Sequence, residues 1–358
     1  MKILYVGPLN KGGTCLQRMQ AMKDLGCTVT PVDTEPADVK KKQRQLLFRL
    51  KRKILGPSDL AGVNERILQL LKDNTCQILW IDKGLTIKAE TLKDVRQISP
   101  KTTIAGYSPD DMLNPDNQTR HFLKGLTYYD IFFTTKSYGV EELKGLGCKR
   151  VEFVDNAYDP NTHRPMEITD EDRLKYGGPV GFIGTYERER AESILYLAKN
   201  GVNVRVWGED WNRKCKLSHP NIKIEGKPLL GDDYARAICS FDINIVFLRK
   251  INRDLQTTRS IEVPACGGFM LAERTNEHIR LFEENKEAAY FSSSEELVEM
   301  VRYFLEHDEE RKRIAQSALR RCLSGRYSYR DRITEMFQEI DSFRDIWAKQ
   351  SHSEKQSL

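Results

Sequence analysis

The chain has 358 residues, of which 39% are hydrophobic and 30% are charged, and its formal net charge is +5. These values are typical of a soluble globular protein with one large or two medium domains. The small net charge argues against a nucleic-acid-binding protein, which would concentrate much more basic charge on one domain.

The first residues, MKILYVGPLN, do not predict a signal peptide, because their apolar run stops at Gly7-Pro8. No stretch approaches the roughly 18 to 20 apolar residues of a membrane-spanning helix. The eight cysteines are scattered, with no CxxC pair and no Cys/His cluster at zinc spacing. We therefore expect a cytoplasmic protein with reduced, isolated thiols and no metal site.

Short apolar runs alternate with helical periodicities in the first 154 residues, which predicts β-α units and a parallel sheet. Strands are predicted at 2–6, 27–32, 76–81, 102–107, 129–134 and 150–154, and helices at 16–25, 91–98 and 137–146. The polar, proline-bearing segment DNAYDPNTHRPMEITDED follows without clear periodicity. We interpret it as a domain boundary.

A second α/β series follows the boundary. Strands are predicted at 179–184, 202–207, 222–225, 243–248 and 269–272, and helices at 187–199, 230–239, 259–266, 295–306 and 309–348. The predicted domains are 1–160, 175–330 and a C-terminal helix with a polar tail at 331–358. Ligands of open parallel sheets bind beyond the carboxyl ends of the strands, so the cleft between two such lobes is the expected site.

The stretch GPLNKGGT lies between the first predicted strand and the first helix. Gly12 and Gly13 would let a ligand approach the backbone, and a helix N-terminus attracts anions. The spacing fits neither GxGxxG nor GxxxxGK[ST], which excludes the NAD fingerprint and the P-loop. A tight β-α turn without a ligand is the structural alternative.

The segment KKKQRQLLFRLKRK at 40–53 has eight basic residues among fourteen. Leu46, Leu47, Leu50 and Ile54 share one helical face. One interpretation is a helix that contacts an anionic membrane surface or an anionic acceptor. The other is a solvated amphipathic helix.

Two acids follow the predicted strand 102–107, in the sequence YSPDDMLNPD. Asp110 or Asp111 would act as a general base if burial or a neighbouring acid raised its pKa. The structural alternative is capping of a helix after Pro109. No third ligand at metal spacing accompanies the pair.

The second half begins with the similar pattern FIGTYERER, in which a strand runs into Gly184 and then a helix. Arg188 and Arg190 are candidates for phosphate contact, because guanidinium groups match phosphate oxygens. Of the two, Arg190 is preferred. Pairing among Glu187, Arg188, Glu189 and Arg190 is the alternative.

The segment RSIEVPACGGFML at 259–271 contains Arg259 and Glu262 on one face of a predicted helix. Gly267-Gly268 tolerates positive φ and is expected to end that helix before the next strand. Cys266 then lies in the last turn, where the helix C-terminus disfavours a thiolate. We do not expect Cys266 to be a nucleophile.

These segments together resemble one family. DINIVFL, TTRSIEVPACGGFMLAER, the stretch 281–322 and YSYRDRI carry the strongest likeness, and GFIGTYERER, VRVWGEDWN, YSPDDMLNPDN and FTTKSYGVEELKGLG extend it. The chain resembles GT-B glycosyltransferases of the spore-maturation CgeB-like type, in the glycosyltransferase group 1 lineage. The likeness omits about 33–75 and the tail after 348.

The resemblance implies the GT-B fold, α/β with two Rossmann-like lobes facing a central cleft, and a nucleotide-sugar donor bound by the C-terminal lobe. It assigns Glu262 to the donor ribose, since a carboxylate accepts two hydrogen bonds from a vicinal diol. Asp254 stands where relatives carry another glutamate, and Arg259 would face the diphosphate. The fold usually needs no metal, so the donor is expected to act without a cofactor.

The base, the sugar, the acceptor and the stereochemical outcome stay open. An inverting enzyme needs a base near the acceptor hydroxyl, which would favour Asp110 or Asp111. Two alternatives have the same two-lobed shape: a non-catalytic nucleotide-sugar-binding protein and a nucleotide-sugar epimerase.

Overall fold

The computed structural model describes residues 1–43, 45, 48, 56–215 and 218–356. The chain forms two compact units, the first comprising Met1–Asp155 with Tyr329–Leu358 and the second Asn156–Ser328. Most of the basic segment 40–53, including the four apolar positions of its predicted face, lies outside the described residues.

The first unit is built on a six-stranded parallel sheet. Its strands are Lys2–Gly7 (β1), Thr28–Asp33 (β2), Ile78–Asp82 (β3), Thr103–Ser108 (β4), Ile131–Thr134 (β5) and Val151–Phe153 (β6). Their order across the sheet is β2-β1-β3-β4-β5-β6. The direction of the chain across the sheet reverses between β1 and β3, which makes the carboxyl ends of these two strands the switch point where ligands of such sheets bind.

Helices cover both faces of this sheet. They are Thr14–Asp24, Ala37–Gln43, Val63–Asp73, Ala89–Ile98, Arg120–Gly125, Gly139–Gly145 and Tyr329–Gln356, with a 3-10 turn at Leu126–Tyr128. All five residues of β3, ILWID, are buried. A central parallel strand is apolar along its whole length because helices pack on both of its sides. On one face the Trp80 ring stacks with Tyr5, Tyr107 and Phe133 at centroid distances of 5.8 to 6.4 Å.

The second unit repeats the plan in a different order. Its strands are Gly178–Ile183 (β7), Val204–Trp207 (β8), Ile222–Ile224 (β9), Phe241–Val246 (β10), Met270–Glu273 (β11) and Ala289–Phe291 (β12). They are arranged β12-β11-β10-β7-β8-β9, and each strand is parallel to its neighbours. The switch point is therefore between β7 and β10.

The helices of the second unit are mostly short. They are Asp170–Tyr176, Arg188–Lys199, Trp211–Lys214, Asp232–Ser240, Arg259–Ala265, Asn276–Leu281, Ser294–Glu306 and Asp308–Ser324, with a 3-10 turn at Lys250–Asn252. The expected turn at 266–268 is present: Gly268 N donates to Val263 O (3.0 Å), Gly267 N donates to Pro264 O (2.9 Å), and Gly267 has φ of +76°. This hydrogen-bond pattern ends the helix and directs the chain into β11.

The predicted α/β class with two parallel sheets is confirmed. The predicted strands and helices are present with ends shifted by at most two residues, with one exception. The helix predicted at 309–348 is two helices, Asp308–Ser324 and Tyr329–Gln356. Sequence reasoning missed β12 and six helices, at Ala37–Gln43, Val63–Asp73, Arg120–Gly125, Asp170–Tyr176, Trp211–Lys214 and Asn276–Leu281. The helix Tyr329–Gln356, which the sequence placed in a separate segment, belongs to the first unit.

A buried ion pair joins the central elements of the first unit. Arg18 donates from Nε to Asp82 Oδ2 (2.8 Å) and from Nη2 to Oδ1 (3.0 Å), and both residues are 1% exposed. The Tyr5 hydroxyl donates to Asp82 Oδ2 (2.8 Å), and the guanidinium carbon lies 4.1 Å from the Tyr107 ring centroid. Burial, and next the Asp82 carboxylate, raise the pKa of Tyr5 well above its ordinary value, so the phenol stays a donor.

We expect Arg18→Met to lower the free energy of unfolding by about 3–5 kcal/mol, because it leaves the Asp82 carboxylate buried without its cation. Arg18→Met/Asp82→Asn, which removes both charges, should recover most of that loss. Urea denaturation followed by circular dichroism measures both. The control is Lys144→Met, which breaks the exposed Lys144–Glu141 pair (2.9 Å) and should cost less than about 1 kcal/mol. A double variant no more stable than Arg18→Met would contradict this account.

Candidate functional site

The second unit has a cavity of about 640 Å³ at its switch point. Its lining comes from the segment 185–190 after β7, from Asp210 and Lys214 after β8, and from Arg249, Ile251 and Arg259 after β10. These segments follow the carboxyl ends of neighbouring parallel strands, which is why they converge. Five basic and three acidic side chains line the cavity, for a net formal charge of +2.

Arg190 lies in the wall of this cavity and is only 3% exposed. Its Nη1 donates to Thr185 O (3.1 Å) and its Nη2 to Phe247 O (3.5 Å), so it connects the ends of β7 and β10. Its Nε is buried without a hydrogen-bond partner. Burial, and next the nearby Arg259 guanidinium, lower the pKa of Arg190 to about 10, which leaves it charged at neutral pH.

Arg259 begins the helix Arg259–Ala265 and also lines the cavity. Its Nε is again buried without a hydrogen-bond partner. A buried N–H that makes no hydrogen bond costs about 1–3 kcal/mol. Two guanidinium groups therefore line one cavity, and each has an Nε–H that makes no hydrogen bond within the protein.

Glu187 partly offsets this positive charge. Its Oε1 accepts a hydrogen bond from Arg249 Nε (2.6 Å), and its Oε2 lies 3.8 Å from Arg190 Nε. Arg188 differs from its neighbours, because its side chain is 82% exposed and pairs with Glu192 one turn later (2.8 Å). Of the two arginines that the sequence proposed, Arg190 is fixed in the cavity wall and Arg188 lies at its exposed rim.

Glu262 lies one turn after Arg259, outside the cavity lining, and its side chain is 8% exposed. Its Oε2 accepts a hydrogen bond from the Tyr234 hydroxyl (2.7 Å), and its Oε1 is 3.6 Å from His163 Nε2. The structure thus places Glu262 beside Arg259, as the i, i+3 spacing predicted, and adds two partners that are distant in sequence.

Asp254 closes the turn that follows β10 and is 8% exposed. Its Oδ1 accepts from Asn252 Nδ2 (2.7 Å) and its Oδ2 from Arg249 N (3.4 Å). These contacts shape the backbone that carries Arg249 and Ile251 into the cavity.

Gly184 lies where β7 and β8 end and approaches a second glycine. A Cβ on Gly208, which has φ of +148°, would lie 1.9 Å from Gly184 O. Trp211 Nε1 donates to the same carbonyl (2.8 Å). Gly184 therefore has a structural role that does not require a ligand, and it brings the segment 185–190 close to the end of β8.

The first unit places its predicted residues at its own switch point. Gly12 has φ of +75° and Gly13 caps the helix Thr14–Asp24, so the glycine stretch forms the turn after β1. Asp111 is 3% exposed and its Oδ1 accepts from Leu113 N (3.1 Å), a hydrogen bond that stabilises the local turn.

Asp110 forms an ion pair with a residue that the sequence analysis missed. Lys83 Nζ lies 2.7 Å from Asp110 Oδ2, and the two side chains are 38% and 21% exposed. Lys83 follows β3 and has φ of +67°, a conformation that non-glycine residues rarely adopt and that is common at functional sites. Burial disfavours the charge on Lys83, but Asp110 outweighs this effect and raises the pKa of Lys83.

The helix that carries Arg259 and Glu262 is tied to the neighbouring helix Asn276–Leu281 by a buried chain of hydrogen bonds. Ser260 Oγ accepts from Thr257 N (3.0 Å) and lies 2.7 Å from His278 Nε2, while His278 Nδ1 lies 2.6 Å from Glu273 O. Since a carbonyl only accepts, His278 carries its proton on Nδ1. Burial lowers the pKa of His278 to about 4.

Cys266 packs in the core at 1% exposure, and burial raises the pKa of its thiol well above the usual value. Across the described ranges, no group of three or more His, Cys, Asp or Glu side chains is arranged to hold a metal ion. None of the helices in those ranges combines the length and apolar character needed to cross a bilayer.

Comparisons with known proteins agree with this geometry. Residues 188–338, which include Arg190, Arg259 and Glu262, match a protein-family model described as glycosyl transferase-like. A comparison with curated proteins finds no match.

Solved structures resemble the whole chain. The Anabaena protein HepE in complex with UDP-glucose is 14% identical, with a TM-score of 0.64 over 96% of this chain and 100% of that one. Sucrose-phosphate synthase from Thermosynechococcus elongatus is 11% identical, with a TM-score of 0.67 over 98% and 100%. A glycosyltransferase from Rickettsia africae is 12% identical, with a TM-score of 0.61 over 96% and 98%. The chain has the GT-B fold, as its sequence predicted.

We expect the free energy of unfolding to fall by about 2 kcal/mol between pH 7 and pH 5 because of His278. The pKa of His278 is lower in the folded protein than in the unfolded chain, so the unfolded state binds more protons in this interval. The stability that neutral His278 provides is therefore lost as the pH falls below about 6.5. His278→Gln should remove this part of the pH dependence, as measured by urea denaturation at several pH values. His307→Gln, at an exposed histidine, should leave it unchanged. An equal slope in His278→Gln and wild type would contradict the assignment.

Proposed function

We propose that the protein is a glycosyltransferase that transfers a sugar from a nucleotide-sugar donor to an acceptor, without a metal ion. The observation that carries the proposal is the cavity at the β7–β10 switch point, where Arg190 and Arg259 each have a buried Nε–H that makes no hydrogen bond within the protein. The match of this region to a glycosyl transferase-like family supports the same conclusion.

The diphosphate of the donor fits the charge and the unused donors of the cavity. Arg190 and Arg259 would donate to its oxygens, and Arg188 and Arg249 add positive charge at the rim. Charge-assisted hydrogen bonds from guanidinium to phosphate are about twice as strong as neutral ones. We propose that these arginines stabilise the leaving diphosphate, the role that a divalent cation has in other transferases.

The rest of the donor would contact the neighbouring segments. We propose that Glu262 accepts hydrogen bonds from the ribose hydroxyls and that the turns at Gly184 and Asp254 surround the sugar and diphosphate. The HepE structures hold UDP and UDP-glucose, so UDP is the first nucleotide to test on this chain.

We propose Asp110 as the general base toward the acceptor hydroxyl, with Asp111 as the second candidate. Asp110 is the more exposed of the two and lies beside Lys83, whereas Asp111 is buried. The turn at Gly12 and Gly13, at the same switch point, is proposed as part of the surface that the reactants contact.

Three finer assignments rest on sequence alone. We propose that the chain is of the CgeB-like type, on the segments 257–274 and 327–333. We also propose that the basic segment 40–53 contacts an anionic membrane surface or an anionic acceptor. The third is a cytoplasmic location.

Donor binding is tested first with a panel of UDP, GDP, dTDP and CMP and their sugars in a thermal-shift assay. Arg259→Gln should weaken binding of the best diphosphate about 10- to 100-fold, because it removes a charge-assisted hydrogen bond. Isothermal titration calorimetry measures the change. Arg313→Gln replaces an arginine that is 57% exposed in the same unit and should bind like wild type. If no ligand of the panel binds, or if Arg259→Gln binds as tightly as wild type, the donor site is wrongly placed.

Turnover is tested with Asp110→Asn, which should lower the rate of transfer or of donor hydrolysis about 10²- to 10⁴-fold with donor affinity unchanged. Asp116→Asn, at an exposed position of the same loop, is the matched control. Full activity in both Asp110→Asn and Asp111→Asn would exclude either acid as the base. Donor binding by wild type without turnover on any acceptor would favour the binding-protein alternative, and epimerised donor without acceptor would favour the epimerase.

A further inference from the structure

The Glu262 carboxylate is held by two side chains from separate elements of the second unit. Tyr234 lies in the helix Asp232–Ser240, and His163 lies in a turn within the boundary segment DNAYDPNTHRPMEITDED. Tyr234 contacts Oε2 and His163 faces Oε1, so each carboxylate oxygen has its own neighbour. The two rings also contact each other edge to face, with centroids 5.6 Å apart. We call Tyr234 and His163 the glutamate clamp.

Tyr234 is a fixed hydrogen-bond donor to the carboxylate. Its hydroxyl lies 2.7 Å from Glu262 Oε2. Burial, and next the Glu262 charge, raise the pKa of Tyr234 well above its ordinary value, so the hydroxyl keeps its proton. This bond fixes the outer torsion of a side chain that would otherwise rotate broadly.

His163 presents an N–H to the other oxygen. Its Nδ1 accepts a hydrogen bond from Asp159 N (3.0 Å), so the proton of the neutral ring lies on Nε2. Nε2 is 3.6 Å from Glu262 Oε1, which is too long for a direct hydrogen bond. The N–H dipole therefore attracts Oε1 electrostatically and leaves the lone pairs of that oxygen available.

An ionised carboxylate has about four acceptor sites, and Tyr234 uses one of them. Two vicinal hydroxyls of a ribose need two more. Without the clamp the carboxylate would have to be ordered when the ligand binds, at a cost in side-chain entropy. The clamp provides that order before the ligand arrives.

We propose that Tyr234 and His163 are positioning residues that hold Glu262 in the orientation in which it accepts both ribose hydroxyls, and that they thereby set a preference for ribonucleotide over deoxynucleotide donors. This inference rests on the proposed function, in which Glu262 contacts the donor ribose.

The test compares UDP with 2′,3′-dideoxy-UDP, which lacks both hydroxyls, by isothermal titration calorimetry on the full chain. Wild type should prefer UDP. Tyr234→Phe and His163→Phe should each weaken UDP binding about three- to tenfold and change dideoxy-UDP binding less than about twofold. The ratio of the two dissociation constants comes from one preparation, so a partly unfolded sample affects both ligands equally.

Two controls separate positioning from general damage. Tyr176→Phe removes a tyrosine hydroxyl that donates a hydrogen bond to Asp233, the residue before Tyr234. This hydroxyl does not bond to Glu262. The Tyr176→Phe variant should keep the wild-type ratio of the dissociation constants for UDP and dideoxy-UDP. In a Glu262→Gln background, Tyr234→Phe should change UDP binding less than about twofold, because residues that act through one another are not additive.

The outcomes are distinct. If Tyr234→Phe weakens UDP and dideoxy-UDP equally, or weakens neither, the clamp has no positioning role. An additive effect in the Glu262→Gln background also overturns it. If His163→Phe does not fold, Tyr234→Phe alone decides. If no nucleoside diphosphate of the panel binds wild type, the proposed function fails and the inference fails with it.

Discussion

Two guanidinium groups of like charge, the buried Arg190 and the half-buried Arg259, lie at one cavity of the second unit. Arg190 and Arg259 come from segments that follow different strands, and the sheet order brings them to one cavity. Neither Nε–H is hydrogen-bonded within the protein, and the proximity of Arg259 lowers the pKa of Arg190. Such an arrangement is costly in the free protein, and the diphosphate of the proposed donor would offset this cost. Hydrogen bonds to Thr185 O and Phe247 O hold Arg190 in place, and the bond between Ser260 and His278 ties the helix that begins at Arg259 to its neighbour.

Much of the fold follows from periodicity in the sequence. Short apolar runs such as CQILWI alternate with helical segments, and this alternation predicts two parallel sheets. The missed elements were short: β12 has three residues and the helix Asn276–Leu281 has six, too few for a period to show. The helix Val63–Asp73 did have a signal, since Val63, Ile67 and Leu71 recur every four residues and are all buried. Strand order and the partner of the C-terminal helix depend on contacts that no local pattern encodes.

The candidate site was predictable where function depends on neighbours in sequence. Gly184, Arg190, Arg259 and Glu262 lie after strands or on one helical face, and both patterns are visible in the chain. Tyr234, His163 and Lys83 were missed because each meets its carboxylate across at least 27 residues. The only local signal was Lys83-Gly84 directly after an apolar strand. Donor binding tests the roles of Arg259, Tyr234 and His163, whereas turnover tests those of Asp110 and Asp111.

The discontinuity of the first unit has a consequence for how the chain is made. The second unit is a continuous stretch, whereas the first needs the helix Tyr329–Gln356, which packs against Thr14–Asp24. Arg344 on this helix donates to Thr103 Oγ1 (2.9 Å) and Gln77 O (2.6 Å), beside the amino ends of β3 and β4. During synthesis, residues 1–155 therefore lack the helix that packs against Thr14–Asp24 until residues 329–356 have been made, after the second unit is complete. The order of completion is the reverse of the usual amino-to-carboxyl order.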